Sequence, residues 1–198
     1  MEEGDRQTSF AIGGEATLSF PRIQGADVVG RVAATGPGVD PKRIGERGLL
    51  DFNLYPDDRA DLNLAPDYYG HGADGGFAEY VAVPSDQFHA VENPDLADAQ
   101  LASLGMCSWQ TALHMLSTVD VRPDEQVLVT GGTGGVGTAL IQLCRLLGAR
   151  PHVLSRPARA AELQALGAET VLDREAPGDL VERVREATGG APVDAVMD

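Results

Sequence analysis

The run Val127-Leu-Val-Thr-Gly-Gly-Thr-Gly-Gly-Val-Gly137 constrains this chain more than any other stretch. Val127, Leu128 and Val129 are apolar without alternation, as in a short strand covered on both faces of a parallel sheet. Beyond the glycines, Val136, Leu140, Leu143 and Leu147 recur at helical spacing, which predicts a helix over 135–147 with these four as its apolar stripe. Strand, glycine turn and helix thus follow in the order that a dinucleotide-binding turn requires. Gly132 permits the tight turn, Gly134 lacks the Cβ that would hold a pyrophosphate away, and Gly137 lets helix and strand pack closely. The N–H groups of the helix start, between them Thr133, Gly135 and Val136, then face the phosphates with the positive end of the helix dipole behind them. A glycine-rich surface turn can carry the same letters. The flanking strand and helix, and a further strand at 151–155, favour the phosphate-binding reading.

From residue 127 onward the pattern alternates. Strands are predicted at 127–129, 151–155, 170–172 and 193–197, and helices at 135–147, 157–166 and 178–187. Such alternation means right-handed βαβ units and a parallel sheet. Upstream, residues 20–92 read as an antiparallel β unit with turns. Ala26–Ala34 is predicted as one strand with a bulge or bend at Gly30, 44–50 as turn then strand, and Gly75–Val83 as a second clear strand that Pro84 ends. Residues 51–74 read as a long surface excursion, and 96–104 and 109–116 as helices. The domain boundary is placed near residue 108, giving units of 1–108 and 109–198.

Fifteen Lys and Arg against thirty Asp and Glu leave a net charge of −15. That balance repels nucleic acid and anionic membranes, and an anionic cofactor needs a local positive cluster. No apolar run approaches the ~18 residues of a membrane span. The start carries no basic-then-apolar leader. Two cysteines, Cys107 and Cys144, make no disulfide framework, so a reduced, cytoplasmic protein is expected.

The cofactor's identity is legible in His152-Val-Leu-Ser-Arg-Pro-Ala-Arg159. An NAD site places Asp or Glu about 20 residues past the glycine turn. This stretch has no carboxylate. Ser155, Arg156 and Arg159 offer a hydroxyl and two guanidinium groups, which suit the 2′-phosphate of NADP(H).

Several further marks stand in order: Gln24-Gly-Ala-Asp-Val-Val-Gly30, Ile44-Gly-Glu-Arg47, Gly75-Gly-Phe-Ala-Glu-Tyr80, Thr111, the glycine turn, Leu166-Gly-Ala168 and Val193-Asp-Ala-Val-Met-Asp198. On these the chain resembles the medium-chain dehydrogenase/reductase superfamily over roughly residues 19–198. The resemblance implies an α/β fold, with a partial Rossmann parallel sheet of about four strands and an incomplete GroES-like antiparallel β-barrel. It implies hydride transfer between a nicotinamide and a small-molecule substrate, a carbonyl, alcohol, quinone or activated alkene, with Thr111 touching the nicotinamide.

Two departures qualify that likeness. Zinc-dependent members carry Gly-His-Glu where this chain has Gly25-Ala26-Asp27, and alanine has no ligand atom. Cys107 alone cannot hold a catalytic zinc, which takes three protein ligands, so Cys107 is expected as a small buried residue and no metal site is expected. The zinc-independent branch, whose members resemble quinone oxidoreductases and enone or enoyl reductases, fits better. A zinc alcohol dehydrogenase relative and a non-catalytic NADP(H)-binding relative are the alternatives. Secondly, the chain looks cut at both ends, with four of the six Rossmann strands present. An exposed fourth strand, with low stability or self-association, is therefore expected, and a homo-oligomer is left open. The catalytic proton donor is not identified. Asp27 is expected to make a structural hydrogen bond and Glu79 to brace the barrel. Tyr68, Tyr69 and His71, with Asp57 and Asp58, are expected as solvated loop residues, and His89, His114 and His152 as structural.

Overall fold

The computed structural model describes residues 11–12, 15–16, 20–54 and 67–198. Asp57 and Asp58 lie outside the described residues. The chain divides into two units, Met1–Cys107 and Ser108–Asp198.

The first unit holds short antiparallel strands. β1 (Ala11–Ile12) pairs with β2 (Glu15–Ala16). β3 (Val29–Arg31), β4 (Arg47–Leu50) and β7 (Phe88–Ala90) form a three-stranded sheet in the order β3-β4-β7. β5 (Asn53–Leu54) and β6 (Asp67–Tyr68) make a further pair. The helix α1 (Asp98–Ser103) follows, and α2 (Met106–Thr118) runs across the division into the second unit. Among the described residues the buried apolar ones here are few: Leu50, Tyr69 and Leu101. Much of the order comes instead from two arginines. Arg43 donates to Glu46 and to the carbonyls of Ser85 and Phe88. Arg47 donates to the carbonyls of Leu96 and Asn93, both at 2.6 Å, and to Asp98 at 3.0 Å. The barrel is not closed among the described strands.

Three sequence expectations fail here. Gly75–Val83 is not a strand; it is a bent, largely exposed segment. Gly75, Gly76 and Phe77 spend their N–H groups on the carbonyls of Ile23, Gly25 and Gln24. Phe77 and Tyr80 are 79% and 78% exposed, so the alternating pattern meets no covering face, and β propensity without a partner does not make a strand. The strand expected over Ala26–Ala34 shrinks to β3. Its register with β4 is unbroken, with Gly30 opposite Gly48, so there is no bulge.

The second unit is built of parallel βαβ repeats. β8 (Gln126–Val129), α3 (Gly135–Leu147), β9 (Arg150–Ser155), α4 (Ala160–Leu166), β10 (Thr170–Asp173), α5 (Leu180–Ala187) and β11 (Ala195–Met197) alternate along the chain. The sheet order is β10-β9-β8-β11, all pairs parallel. Every residue of β8 is buried, Gln126 along with the apolar run of Val127, Leu128 and Val129. The core packs Val127, Val129 and Val153 of the sheet against Leu140, Ile141 and Cys144 of α3. The apolar stripe of α3 is rotated from the expected one. Gly137, Leu140, Ile141 and Cys144 are buried, whereas Leu147 is 41% exposed and only Leu140 of the four expected residues is fully covered. Gly137 lies on this buried side, where a Cβ would meet the Gly131 carbonyl oxygen at 2.4 Å, so the helix presents that side to the glycine turn.

A polar ladder crosses the same sheet. His152, wholly buried on β9, lies 2.6 Å from Gln126 Oε1 on β8 and 2.7 Å from Thr170 Oγ1 on β10. Burial, then the nearby Arg150 charge, depresses its pKa, with Glu169 opposing. No described helix is long and apolar enough to cross a membrane.

Candidate functional site

The C-terminal end of β8 opens into Thr130–Gly134, and α3 begins at Gly135 with Gly134 as its N-cap. Two of the glycines are held by close approach. A Cβ on Gly137 would lie 2.4 Å from the Gly131 carbonyl oxygen, and one on Gly132 would lie 2.2 Å from Val153 Cγ1. Gly134 differs. A Cβ there would meet only the Gly131 oxygen, at 3.4 Å, so its bare side faces open space. Thr138 is the first residue of the helix whose N–H reaches a helical carbonyl, that of Gly134. The N–H groups of Gly135, Val136 and Gly137 precede it and lack intrahelical acceptors by the geometry of a helix start. With the dipole of a 13-residue helix behind them, they form an anion-binding end.

Two cavities flank this turn. One of about 660 Å³ is lined by Gly131–Thr133, Ser155 and the guanidinium-bearing Arg156, Arg159 and Arg174. Ser155 closes β9 and is buried; Arg156 and Arg159 are exposed in the turn that leads to α4. The second cavity, about 370 Å³, is lined by Thr111 and Met115 of α2, by Gly134–Gly137, and by Met197 and Asp198 after β11. The ten residues expected from the sequence therefore gather around one strand-turn-helix junction, with Thr111 on the second cavity and the arginines on the first. Arg174 was not singled out in the sequence. The signal that could have found it is parallel pairing: β10 ends beside β9 with Asp173 opposite Ser155, so residue 174 emerges next to Arg156.

The arginines are not idle. Arg156 Nε lies 3.6 Å from Glu175 Oε1, Arg174 Nη2 lies 3.2 Å from that oxygen, and Arg159 donates to Glu162 at 2.7 Å. All are half to two-thirds exposed, so each pair is weak.

The residues weighed for zinc do not assemble a site. Asp27 Oδ1 accepts from the Cys107 N–H at 2.8 Å, at the start of α2, and so caps that helix. Cys107 is exposed, not buried as expected. Partial burial and then the Asp27 carboxylate push its thiol pKa up, which disfavours the thiolate a metal needs. Among the described residues no group of three or more His, Cys, Asp and Glu side chains has the geometry of a metal site.

Other expectations need correction. Tyr69 is 5% exposed rather than solvated, and burial raises its pKa. His71 stacks on Tyr68 with ring centroids 5.1 Å apart, and its Nδ1 lies 2.7 Å from Asp67 Oδ1. Burial raises the pKa of Asp67, but hydrogen bonds from His71 and Tyr68 outweigh it and leave the carboxyl lowered. This stretch turns inward because β6 pairs with β5 immediately upstream. Glu79 is exposed and makes no hydrogen bond or ion pair to another described residue, so it braces nothing there. His89 and His114 are exposed.

Comparison with known proteins agrees with this geometry. Residues 4–94 match the alcohol dehydrogenase GroES-like domain, and residues 135–198 match the zinc-binding dehydrogenase family. A solved structure of a putative alcohol dehydrogenase from Sinorhizobium meliloti 1021 is 48% identical, with a TM-score of 0.83 over 92% of this chain and 49% of that one. Crotonyl-CoA reductase of Streptomyces collinus is 30% identical over 203 residues, covering 89% of this chain and 45% of its own length. The structure of a Pseudomonas syringae pv. Tomato DC3000 quinone oxidoreductase is 26% identical, with a TM-score of 0.68 over 89% of this chain and 48% of that one. The chain thus spans about half the length of the relatives it matches.

Proposed function

This chain belongs to the medium-chain dehydrogenase/reductase superfamily, and on that footing we propose that it is an NADPH-dependent, zinc-independent oxidoreductase that delivers hydride to a quinone or an α,β-unsaturated carbonyl. The observation that carries the cofactor reading is the cavity at the end of β9. Arg156, Arg159 and Arg174 line it, and no carboxylate does. In a chain of net charge −15, three guanidinium groups lining one cavity beside the glycine turn are a specific arrangement.

The glycine turn fits such a cofactor. The N–H groups at the start of α3 would hold its pyrophosphate, and the open side of Gly134 leaves the backbone approachable. The arginines would hold the 2′-phosphate, and Thr111, on the second cavity, would meet the nicotinamide half. A bound nicotinamide supplies hydride and is oxidised as the electron-poor carbon of the acceptor is reduced; a proton completes the product. The chain's own part is orientation.

The acceptor class rests on the relatives named crotonyl-CoA reductase and quinone oxidoreductase, together with alanine at position 26. Purified protein should oxidise NADPH with a quinone or an enoyl thioester and carry no stoichiometric metal. A second reading, a zinc-type alcohol dehydrogenase, is favoured by the 48% identity to a putative alcohol dehydrogenase. About one tightly held zinc per chain, with activity lost on its removal, would establish that reading and overturn ours.

A further inference from the structure

One carboxylate oxygen of the cavity's margin is shared. Glu175 Oε1 lies 3.6 Å from Arg156 Nε, 3.2 Å from Arg174 Nη2 and 3.3 Å from Arg174 Nε. The two guanidinium groups come from the ends of neighbouring parallel strands, β9 and β10. Residue 175 is itself anchored, since its N–H donates to Asp173 Oδ1 at 2.9 Å. Arg156 and Arg174 line the cavity while Glu175 is not among its lining residues. Two guanidinium groups repel when brought together without an anion. Arg159, the third cation, is engaged elsewhere, with Glu162.

Resting on the NADP(H) reading above, we propose that Glu175 stands in for the cofactor's 2′-phosphate. It keeps Arg156 and Arg174 directed at one point in the free protein and yields them to the phosphate on binding. Arg174 is then a second phosphate ligand beside Arg156. Glu175 limits selectivity, because each phosphate that binds must displace it. The exchange is favourable, since a phosphate monoester carries about −1.5 to −2 charge and three acceptor oxygens against the single charge of a carboxylate. NADH has no 2′-phosphate, leaves the Glu175 contacts intact and is indifferent to residue 175.

The test uses two fragments that differ only in the group at issue, 2′,5′-ADP and 5′-AMP. Each is titrated into wild type, Glu175→Gln and Arg174→Ala by calorimetry. Wild type should prefer 2′,5′-ADP. Glu175→Gln should tighten 2′,5′-ADP by about three- to tenfold, the scale of losing one or two exposed ion pairs, and leave 5′-AMP within about twofold. Arg174→Ala should weaken 2′,5′-ADP by about three- to fivefold and spare 5′-AMP. If Glu175→Gln leaves 2′,5′-ADP binding unchanged or weaker, the stand-in role is wrong, although the wild-type preference still upholds the cofactor reading. If Arg174→Ala has no effect, Arg174 is not a phosphate ligand. If wild type binds both fragments alike, the NADP(H) reading itself falls, and this proposal with it.

Discussion

Gly137 stands so close to Gly131 that a Cβ would lie 2.4 Å from the Gly131 carbonyl oxygen and 2.7 Å from Gly132 Cα. These are backbone atoms of the turn and cannot swing aside. Gly134, three residues earlier, would place its Cβ 3.4 Å from that same oxygen, an ordinary contact. The two glycines of one fingerprint therefore serve different ends. Gly137 has no room for a side chain, and Gly134 has room for one on the side where the proposed cofactor's pyrophosphate would lie.

Gly137→Ala should cost about 1–3 kcal/mol of stability, the usual range for overpacking a tight contact. Gly134→Ala should leave urea-melt stability within about 0.5 kcal/mol and weaken dinucleotide binding by about tenfold or more. Equal melts for both variants would break the distinction.

His152 gives a pH dependence. In the neutral ring, Nε2 donates to the side-chain amide oxygen of Gln126 and Nδ1 accepts from the Thr170 hydroxyl. Burial and Arg150 hold its pKa below the unfolded value, about 6.5. As pH falls through that value the unfolded chain takes up a proton and the native one does not. The stabilisation is full above about pH 7 and declines below about 6.5, by at most about 1.4 kcal/mol per pH unit, until the native pKa is reached. Chemical melts between pH 7.5 and 5.5 should show this slope in wild type and a shallower one in His152→Gln. The same slope in both would locate the effect elsewhere.

The parallel half of the fold was legible because β8, α3 and β9 each carry their own periodicity and the glycines punctuate them. Local signals decide local structure there. Gly75–Val83 reads as a strand by the same rules and is not one, because a strand needs a partner and no residue within the segment says where that partner is. The rotation of the α3 stripe was hidden for a related reason: Gly137 counts as neither apolar nor polar in a pattern, yet it lies on the buried side of the helix, against the glycine turn. Arg174 escaped notice because its place beside Arg156 depends on strand register, not on sequence distance.

Cysteine chemistry should separate the two thiols. Cys144 is buried in the core and burial pushes its pKa to about 11. Cys107 is exposed, its pKa raised first by partial burial and then by Asp27. Iodoacetamide should label Cys107 alone in the native protein. Asp27→Asn should speed that labelling by removing the adjacent charge, and should cost about 0.5–1 kcal/mol through the weakened cap on α2. Slower labelling in the variant would contradict the electrostatic role of Asp27.

Arg156 should carry most of the preference for NADPH. It is 67% exposed at the side chain and its one side-chain contact among the described residues, at 3.6 Å to Glu175, is a loose one, so it is available to a phosphate. Arg159 is held more closely, at 2.7 Å from Glu162 one helical turn away, and must exchange that pair first. A charge-assisted contact contributes about 1.5–3 kcal/mol, and solvent screening at this exposure brings it toward the lower end. Each 1.4 kcal/mol is about tenfold in affinity. Wild type should therefore bind NADPH about 10- to 100-fold more tightly than NADH through its arginines together. Arg156→Ala should lose most of that ratio by weakening NADPH alone, and Arg159→Ala should lose less. Fluorescence titration of both cofactors into the three proteins decides it: a ratio near one in wild type, or a ratio that Arg156→Ala leaves intact, would remove Arg156 from the site.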